Sequence, residues 1–341
     1  MILSRNLLCC TTLFIPLTIA WMVPIYAPRF LRLEMNVAAS DADDNDESTV
    51  STTQEGADIQ HSPPGDGLYR PFAEAFWNEL HSTDWFDMEQ GFRTERCARA
   101  KGLPEGSQVR MTVQSVRGKP EAPVAYARYA LLETLAVTEN PSKNPIQQHV
   151  GVQVLNAVII PRINSLRPVW GADFVALPGN KHLLLLDAQP MMVNDTHHES
   201  FTDWYNNFGV SESWPWAGDL PPAVQPYVSP KALWTRLGGK DEGDDDEQET
   251  MSPTARIATQ LLPAMEAHLQ IYCDLLGRND DNTDTVESSA TSSLRSYLEY
   301  RLSKDPARPM LQSLYGREWT EEILEQVLFP MELLFGKQDN A

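Results

Sequence analysis

Three apolar runs of strand length, separated by turn residues, lie in the middle of the chain. They are VQVLNAVII (152–160), ADFVAL (172–177) and HLLLLDAQ (182–189). Only a Pro-Gly-Asn turn separates the last two runs, and so short a connection predicts an antiparallel hairpin, since parallel strands need a long crossover. The runs are apolar at both parities, which predicts a sheet that is covered on both faces.

Helical patterns flank these runs on both sides. RPFAEAFWNELH (70–81) places apolar residues at helical spacing before the sheet, and ARIATQLLPAMEAHLQIYCDLL (255–276), SLRSYLEYRLSKD (293–305) and EWTEEILEQVLF (318–329) follow it. QVRMTVQSV and VAYARYALLETLAV are further strand candidates. The pattern predicts the α/β class, as a three-layer α/β/α sandwich with a central antiparallel sheet.

The first 67 residues differ from the rest in composition. Arg5 precedes an apolar run that ends near residue 23, which predicts a signal peptide over 1–27. Residues 28–67 read as a transit-like segment followed by a disordered acidic linker. We therefore expect one folded domain over 68–335 and a short tail over 336–341.

The net charge of −20 is concentrated outside the predicted core. Residues 240–288 hold 3 basic against 13 acidic residues, whereas residues 68–239 hold 15 against 17. Within the core, the stretch 93–119 is basic and includes Arg110 and Arg117. It is either a pair of solvated edge strands or a docking face for an acidic protein; without a recognised binding motif it does not indicate nucleic acid.

Cysteine content and motifs exclude several kinds of site. Of four cysteines, Cys9 and Cys10 lie in the leader, which leaves too few for a disulfide framework, a zinc site or a four-thiolate cluster. The sequence contains no nucleotide-binding glycine motif, no nucleophile elbow and no zinc-protease motif. The adjacent His197 and His198 point in different directions in a predicted loop, so no metal site is predicted.

Two polar residues interrupt the apolar faces of neighbouring predicted strands. Asp173 lies between Trp170 and Phe174, and Asn156 lies inside VLNAVII. Either residue alone is most simply a partner for a buried backbone group. Together they favour a polar patch in an apolar pocket, where a desolvated carboxyl group would retain its proton near neutral pH and suit a proton donor.

A second acid lies on the C-terminal helices. Asp305, followed by Pro306, is typical of the start of a helix. Arg301 and Asp305 also continue the apolar stripe of the preceding helix, at a spacing of four residues. The pair is either structural or forms a second wall of the pocket, with an acid and a cation for an anionic ligand.

The order of several segments resembles that in the ferredoxin-dependent bilin reductases. The segments are VLNAVIIP, WGADFVALPG, LLLLDAQP, SPKALWTR, YRLSKDPARPML and GREWTEEILEQVLF, and the resemblance covers roughly residues 69–330. It implies an α/β/α sandwich that holds a linear tetrapyrrole between the sheet and the C-terminal helices. It also implies catalytic roles for Asp173 and Asp305, with Asn156 and Arg301 in the substrate site.

The resemblance further implies that the chain has no bound cofactor and takes electrons from reduced ferredoxin. The basic stretch with Arg110 and Arg117 then becomes the candidate docking face for ferredoxin. A second bilin reductase is a further candidate partner, for transfer of substrate. Bilins and ferredoxin meet in plastids, so the leader predicts a plastid stromal protein.

The substrate is predicted from the SPKALWTR and KDPAR…GREWTE segments. These are most similar to the family member that reduces the A-ring diene system of 15,16-dihydrobiliverdin to phycoerythrobilin. The alternatives are a sibling reductase that makes 15,16-dihydrobiliverdin or phytochromobilin from biliverdin, and a non-catalytic bilin carrier.

Overall fold

The structure is a computed structural model. It describes residues 67–82, 88–99, 108–135, 151–165, 167–178, 180–189, 214–216, 228–229, 232–238, 251–277, 287–305 and 307–336. The predicted leader and linker, His197 and His198, and the acidic stretch 240–250 lie outside these residues.

Within the described residues, seven strands form one antiparallel sheet whose spatial order follows the chain order. The strands are β1 Met88–Ala98, β2 Gln108–Gly118, β3 Val124–Leu135, β4 Gln153–Pro161, β5 Val169–Leu177, β6 Lys181–Gln189 and β7 Leu233–Leu237. The predicted hairpin is confirmed, since Leu177 of β5 pairs with Lys181 of β6. Asn180 in this turn has φ 59°, a left-handed conformation that asparagine tolerates better than most residues.

Helices cover both faces of the sheet. They are α1 Arg70–Ser82, α2 Pro253–Arg256, α3 Leu262–Leu276, α4 Glu287–Ser303, α5 Arg308–Tyr315, α6 Arg317–Ile323 and α7 Met331–Phe335. A π-helical segment, Ile257–Leu261, joins α2 to α3, and another, Leu324–Leu328, follows α6.

Each face of the sheet has its own apolar core. On one face, Phe72 and Phe76 of α1 and Met265 of α3 pack with Leu155 and Phe174 of the sheet. The second core contains residues from β2 and from the C-terminal helices, including Val109, Val113, Leu294, Leu298 and Val327. The predicted three-layer α/β/α sandwich is therefore confirmed.

The basic stretch divides between an edge strand and a covered strand. β1 is an edge of the described sheet, and its side chains alternate in exposure; Arg93 within β1 and Arg99 just after it are exposed. β2 is mostly buried, and of its two candidate docking residues only Arg117 is exposed. The docking role of Arg117 stays a prediction.

The prediction for Arg110 is wrong. Arg110 is only 6% exposed, and it donates hydrogen bonds from Nε and Nη2 to Oε2 of Glu133, over 3.1 and 2.9 Å. Glu133 is fully buried and also accepts hydrogen bonds from Arg70. A buried carboxylate requires paired cations, so Arg110 neutralises Glu133 inside the fold and is not accessible to a docking partner.

Candidate active site

Asp173 and Asn156 face each other across β5 and β4. Their Cα atoms are register partners, so both side chains project from the same face of the sheet. Asp173 is 8% exposed, and its Oδ2 atom has no hydrogen-bond partner among the described residues. A buried carboxyl oxygen in this state is available to a ligand, and it favours a protonated carboxyl group.

The other face of the sheet fixes the backbone of β5 at this point. Trp170 stacks on Phe76 of α1 with ring centroids 5.6 Å apart, and its Nε1 donates a hydrogen bond to Nδ1 of His268 over 2.7 Å. Burial lowers the pKa of His268 to about 3, so the ring is neutral and can accept this bond. The strand that carries Asp173 is therefore anchored to α1 and α3 from behind.

A cavity opens beside Asp173 between the sheet and α4. Its lining includes Asn156 and Asp173, Asp187 of β6, and Tyr297 and Arg301 of α4. Gly171 also lines it, and a Cβ atom there would meet only the carbonyl oxygen of Ala157, at 3.8 Å. The absence of a side chain at Gly171 thus leaves space two residues before Asp173, on the same face of the strand.

Arg301 supplies a cation from the opposite wall. It is 7% exposed, and its guanidinium lies 5.7 Å from the ring centroid of Tyr297, one helical turn earlier. Arg301 therefore lies on the buried side of α4 and on the cavity wall, which agrees, for Arg301, with the second of the two interpretations left open for the Arg301–Asp305 pair.

Asp305 lies just beyond the end of α4. Its Oδ1 accepts hydrogen bonds from the backbone N–H groups of Ala307 and Arg308 over 2.8 and 3.0 Å, as expected for an acid that starts a helix. Asp305 also interacts electrostatically with Asp173 and Arg301, although it is not among the residues that line the cavity. Asp305 therefore makes the contacts expected of a residue that starts a helix. It also lies close enough to Asp173 and Arg301 to interact with them electrostatically.

Burial dominates the acid–base properties of Asp173. Desolvation raises the pKa of Asp173 to about 7, against the lowering effects of Arg301, the hydrogen bond from Asn156 and Arg128. Desolvation also raises the pKa of Asp305, but Arg301 and the two backbone N–H groups oppose it. Asp173 can therefore hold a proton near neutral pH and release it, which is the property predicted for a donor.

Asp187 is a residue of this site that the sequence analysis missed. It is the register partner of Gly171, and its carboxylate accepts hydrogen bonds from the N–H and the hydroxyl group of Ser229, over 2.8 and 2.5 Å. Burial raises its pKa to about 6. The signal that identified Asp173, a carboxylate inside an apolar run, is also present in LLLLDAQ and could have identified Asp187.

Arg128 of β3 was missed as well. It is 2% exposed, and its Nη1 donates hydrogen bonds to Oδ1 and to the backbone oxygen of Asn156, over 2.6 and 3.1 Å. Burial lowers its pKa to about 10, so the guanidinium remains charged at neutral pH. An arginine inside the apolar run VAYARYALL was the available signal.

Among the described residues, no group of three or more His, Cys, Asp or Glu side chains is arranged to hold a metal ion. In the same part of the chain, no helix combines the length and apolar character that a membrane crossing requires.

Comparison with known proteins identifies the class. The family model described as ferredoxin-dependent bilin reductase matches residues 144–330, which span β4 to the C-terminal helices and include every predicted catalytic and substrate-binding residue. The chain belongs to this family, and it is therefore an oxidoreductase of a class that uses ferredoxin as electron donor.

Two similar proteins are named phycoerythrobilin:ferredoxin oxidoreductase. The one from Nostoc punctiforme is 34% identical over 220 residues, which cover 63% of this chain and 80% of that protein. The one from Parasynechococcus marenigrum is 37% identical over 191 residues, which cover 55% of this chain and 68% of that protein.

A solved structure shares the fold. Tomato phytochromobilin synthase in complex with biliverdin aligns with a TM-score of 0.55 over 80% of this chain and 86% of that chain. The sequence identity is 15%, so this likeness supports the fold alone.

The raised pKa of Asp173 predicts how stability depends on pH. The folded protein holds this proton up to about pH 7, whereas the unfolded chain releases it near the ordinary aspartate pKa of 3.8. Stability should therefore fall as pH rises from about 4 to 7, by up to about 4 kcal/mol from this group. Asp173→Asn removes the dependence, so we expect the variant to be more stable than wild type at pH 8, with the difference shrinking toward pH 5.

Urea unfolding at both pH values measures this difference. Asp274→Asn is the matched control, because it makes the same chemical change at an exposed position of α3. A stability difference between Asp173→Asn and wild type that does not change with pH would contradict a burial-raised pKa.

Proposed function

We propose that this chain reduces 15,16-dihydrobiliverdin to phycoerythrobilin at its A-ring diene system, with electrons from reduced ferredoxin. The observation that carries the proposal is the buried carboxyl group of Asp173, the register partner of Asn156, in a cavity that Arg301 of α4 also lines. Relatives named phycoerythrobilin:ferredoxin oxidoreductase, at 34–37% identity, support the choice of reaction.

The proposed reaction adds two electrons and two protons to the pigment. Each electron comes from one reduced ferredoxin, which is oxidised, and the chain needs no redox group of its own. Asp173 donates a proton from the sheet side to the pigment and becomes a carboxylate. The hydrogen bond from Asn156 and the charge of Arg301 stabilise that carboxylate until a solvent proton replaces the one that was lost.

The wall formed by α4 has a different proposed role. A linear tetrapyrrole carries carboxylate side chains, and Arg301 is a buried cation on the cavity wall that can attract them. Asp305 is held by two backbone N–H groups and by the charge of Arg301, which favour its ionised form. We assign Asp305 to orienting the pigment as a carboxylate and to relaying the second proton, which it takes up from solvent before passing it to the pigment.

Ferredoxin must reach the surface near this cavity. Ferredoxins are acidic, so exposed cations such as Arg117 are proposed to steer the encounter. A second bilin reductase that supplies 15,16-dihydrobiliverdin is the further proposed partner. Plastid import through the leader is proposed from its composition and from the need for ferredoxin, and the leader lies outside the described residues.

Anaerobic turnover with reduced ferredoxin tests the reaction. We expect 15,16-dihydrobiliverdin to be consumed and phycoerythrobilin to appear on chromatography, whereas biliverdin should remain unreduced. Conversion of biliverdin to 15,16-dihydrobiliverdin or to phytochromobilin would identify a sibling reductase. A pigment that binds but returns unchanged would identify a carrier.

Substitution of the two aspartates should impair turnover in different ways. Asp173→Asn keeps the shape of the side chain but removes its transferable proton, so the rate should fall about 100-fold or more with bilin affinity unchanged. Asp305→Asn should accumulate a radical-like, partly reduced pigment, because electrons arrive one at a time and the variant delivers the second proton slowly. Absorbance and electron paramagnetic resonance during turnover distinguish these outcomes.

Two results would contradict these roles. If Asp173→Asn has the wild-type rate and product, Asp173 is not the proton donor. Wild-type turnover in Asp305→Asn, combined with a loss of about 1 kcal/mol of stability, would leave Asp305 as a helix cap only. Asp274→Asn serves again as the exposed control.

Charge reversal at Arg117 tests the docking proposal. Arg117→Glu should raise the apparent KM for ferredoxin, more at low salt than at high salt, without changing bilin affinity. Arg99→Glu makes the same charge reversal at an exposed residue just after the edge strand β1. Its effect on the KM for ferredoxin shows whether the docking area extends to that edge. If KM is unchanged in both variants at low salt, the landing site lies elsewhere.

A further inference from the structure

Arg128 occupies a central position between the sheet and the C-terminal helices. Its Nε donates a hydrogen bond to the backbone oxygen of Leu328 over 3.2 Å, and its Nη1 donates to Oδ1 of Asn156 over 2.6 Å. Arg128 is the diagonal neighbour of Asn156, because its register partner on β4 is Val158, two residues after Asn156. Nearly complete burial of the guanidinium makes these contacts costly to lose.

These contacts determine which way the amide of Asn156 points. Every polar atom of an arginine side chain is a donor, so the atom of Asn156 at 2.6 Å must be the amide oxygen. The amide nitrogen then lies on the other side of the group. Asp173 is the register partner on that side, and its carboxyl group is hydrogen-bonded to the Asn156 side chain.

We propose that Arg128 is a positioning residue that holds the Asn156 amide with Nδ2 directed at the carboxyl group of Asp173. Without Arg128, the amide can rotate by half a turn and present Oδ1 instead. An amide oxygen bonds only to a protonated carboxyl group, whereas an amide N–H also bonds to the carboxylate. The inference rests on the proposed function, in which Asp173 must give up a proton to the pigment and remain as a carboxylate until it is reprotonated.

Other groups also act on Asp173, and they bound the size of the effect. The titratable and charged groups around it are Arg128 on β3, Arg301 on α4, Asp305 after α4, Asp187 on β6 and Tyr69 before α1. Arg301 is the strongest of those that favour the carboxylate. Because it remains in place when Arg128 is changed, we expect a moderate shift and an intact site.

The test measures the pKa of Asp173 in the protein without pigment. The carbonyl stretch of the protonated carboxyl group is followed by infrared difference spectroscopy over pH and assigned by its loss in Asp173→Asn. We expect Arg128→Met and Asn156→Leu each to raise this pKa by about 1 unit, since each removes a group that favours the carboxylate.

The double variant separates positioning from simple charge. If Arg128 acts through Asn156, then Arg128→Met should shift the pKa much less in the Asn156→Leu background than in wild type. Arg128→Lys, which keeps the positive charge and a single donating nitrogen at this position, should recover part of the shift. Fully additive shifts, or no shift in Arg128→Met, would overturn the proposal.

Arg110→Met is the matched control for general damage. It removes another buried arginine, from the neighbouring strand, where the partner is Glu133 and not Asn156. We expect it to lower stability and to leave the pKa of Asp173 unchanged. An equal pKa shift in Arg110→Met would reduce Arg128 to a structural residue.

If Arg128→Met does not fold, the orientation of the Asn156 amide can still be measured in protein that retains Arg128. In protein labelled with ¹⁵N at asparagine, the Nδ2 resonance of Asn156 is assigned by its loss in Asn156→Leu. It should titrate together with Asp173, and it should stop titrating in Asp173→Asn. An Nδ2 resonance that does not respond to Asp173 would overturn the proposed orientation.

The turnover pH profile separates this inference from the proposed function. In Arg128→Met, the pKa of Asp173 measured by infrared spectroscopy and the pH profile of turnover can shift together. In that case both the positioning role of Arg128 and the donor role of Asp173 are supported. If the infrared pKa shifts and the turnover profile does not, Arg128 positions Asn156 as proposed, but Asp173 is not the proton donor.

Discussion

The pairing of β4 with β5 inside a sheet covered on both faces is the constraint on which the site depends. It sets Asn156 directly opposite Asp173 and directs both into the layer beneath α4. A slip of one residue in this register would send Asp173 to the opposite face, where the first apolar core lies. The core therefore fixes the site, because Trp170 and its contacts with Phe76 and His268 hold β5 from behind.

Burial and charge act in opposite directions on Asp173. Removal from water alone would keep its proton bound, whereas the hydrogen bond from Asn156 and the charges of Arg301 and Arg128 favour its release. The result is a pKa of about 7, at which a carboxyl group can both hold and donate a proton. With desolvation alone, the carboxyl group would stay protonated at neutral pH. With the hydrogen bond and the cations alone, it would stay ionised.

Three buried or partly buried aspartates lie in this region, and their hydrogen bonds distinguish them. Both oxygens of Asp187 are occupied by Ser229, which ties the segment before β7 to the cavity wall. Asp305 uses Oδ1 to start α5. Only Asp173 has a buried oxygen without a partner among the described residues, so the three carboxylates do not have equivalent chemistry.

Local patterns in the sequence were sufficient to predict the sandwich, the hairpin at Asn180 and the polar patch of Asn156 and Asp173. Alternation, turn residues and helical spacing are properties of neighbouring residues, and they survive in any tertiary arrangement that buries the apolar positions.

The tertiary structure alone decided which arginine faces solvent and which acids share the cavity. Arg110 and Arg117 are alike in a basic stretch, yet pairing of β2 with β3 places Arg110 opposite Glu133 and leaves Arg117 exposed. Arg128 is 28 residues from Asn156 in the chain, and only the β3–β4 register brings them together. Burial and charge pairing depend on contacts between distant segments, so a linear pattern could name these residues but could not assign their partners.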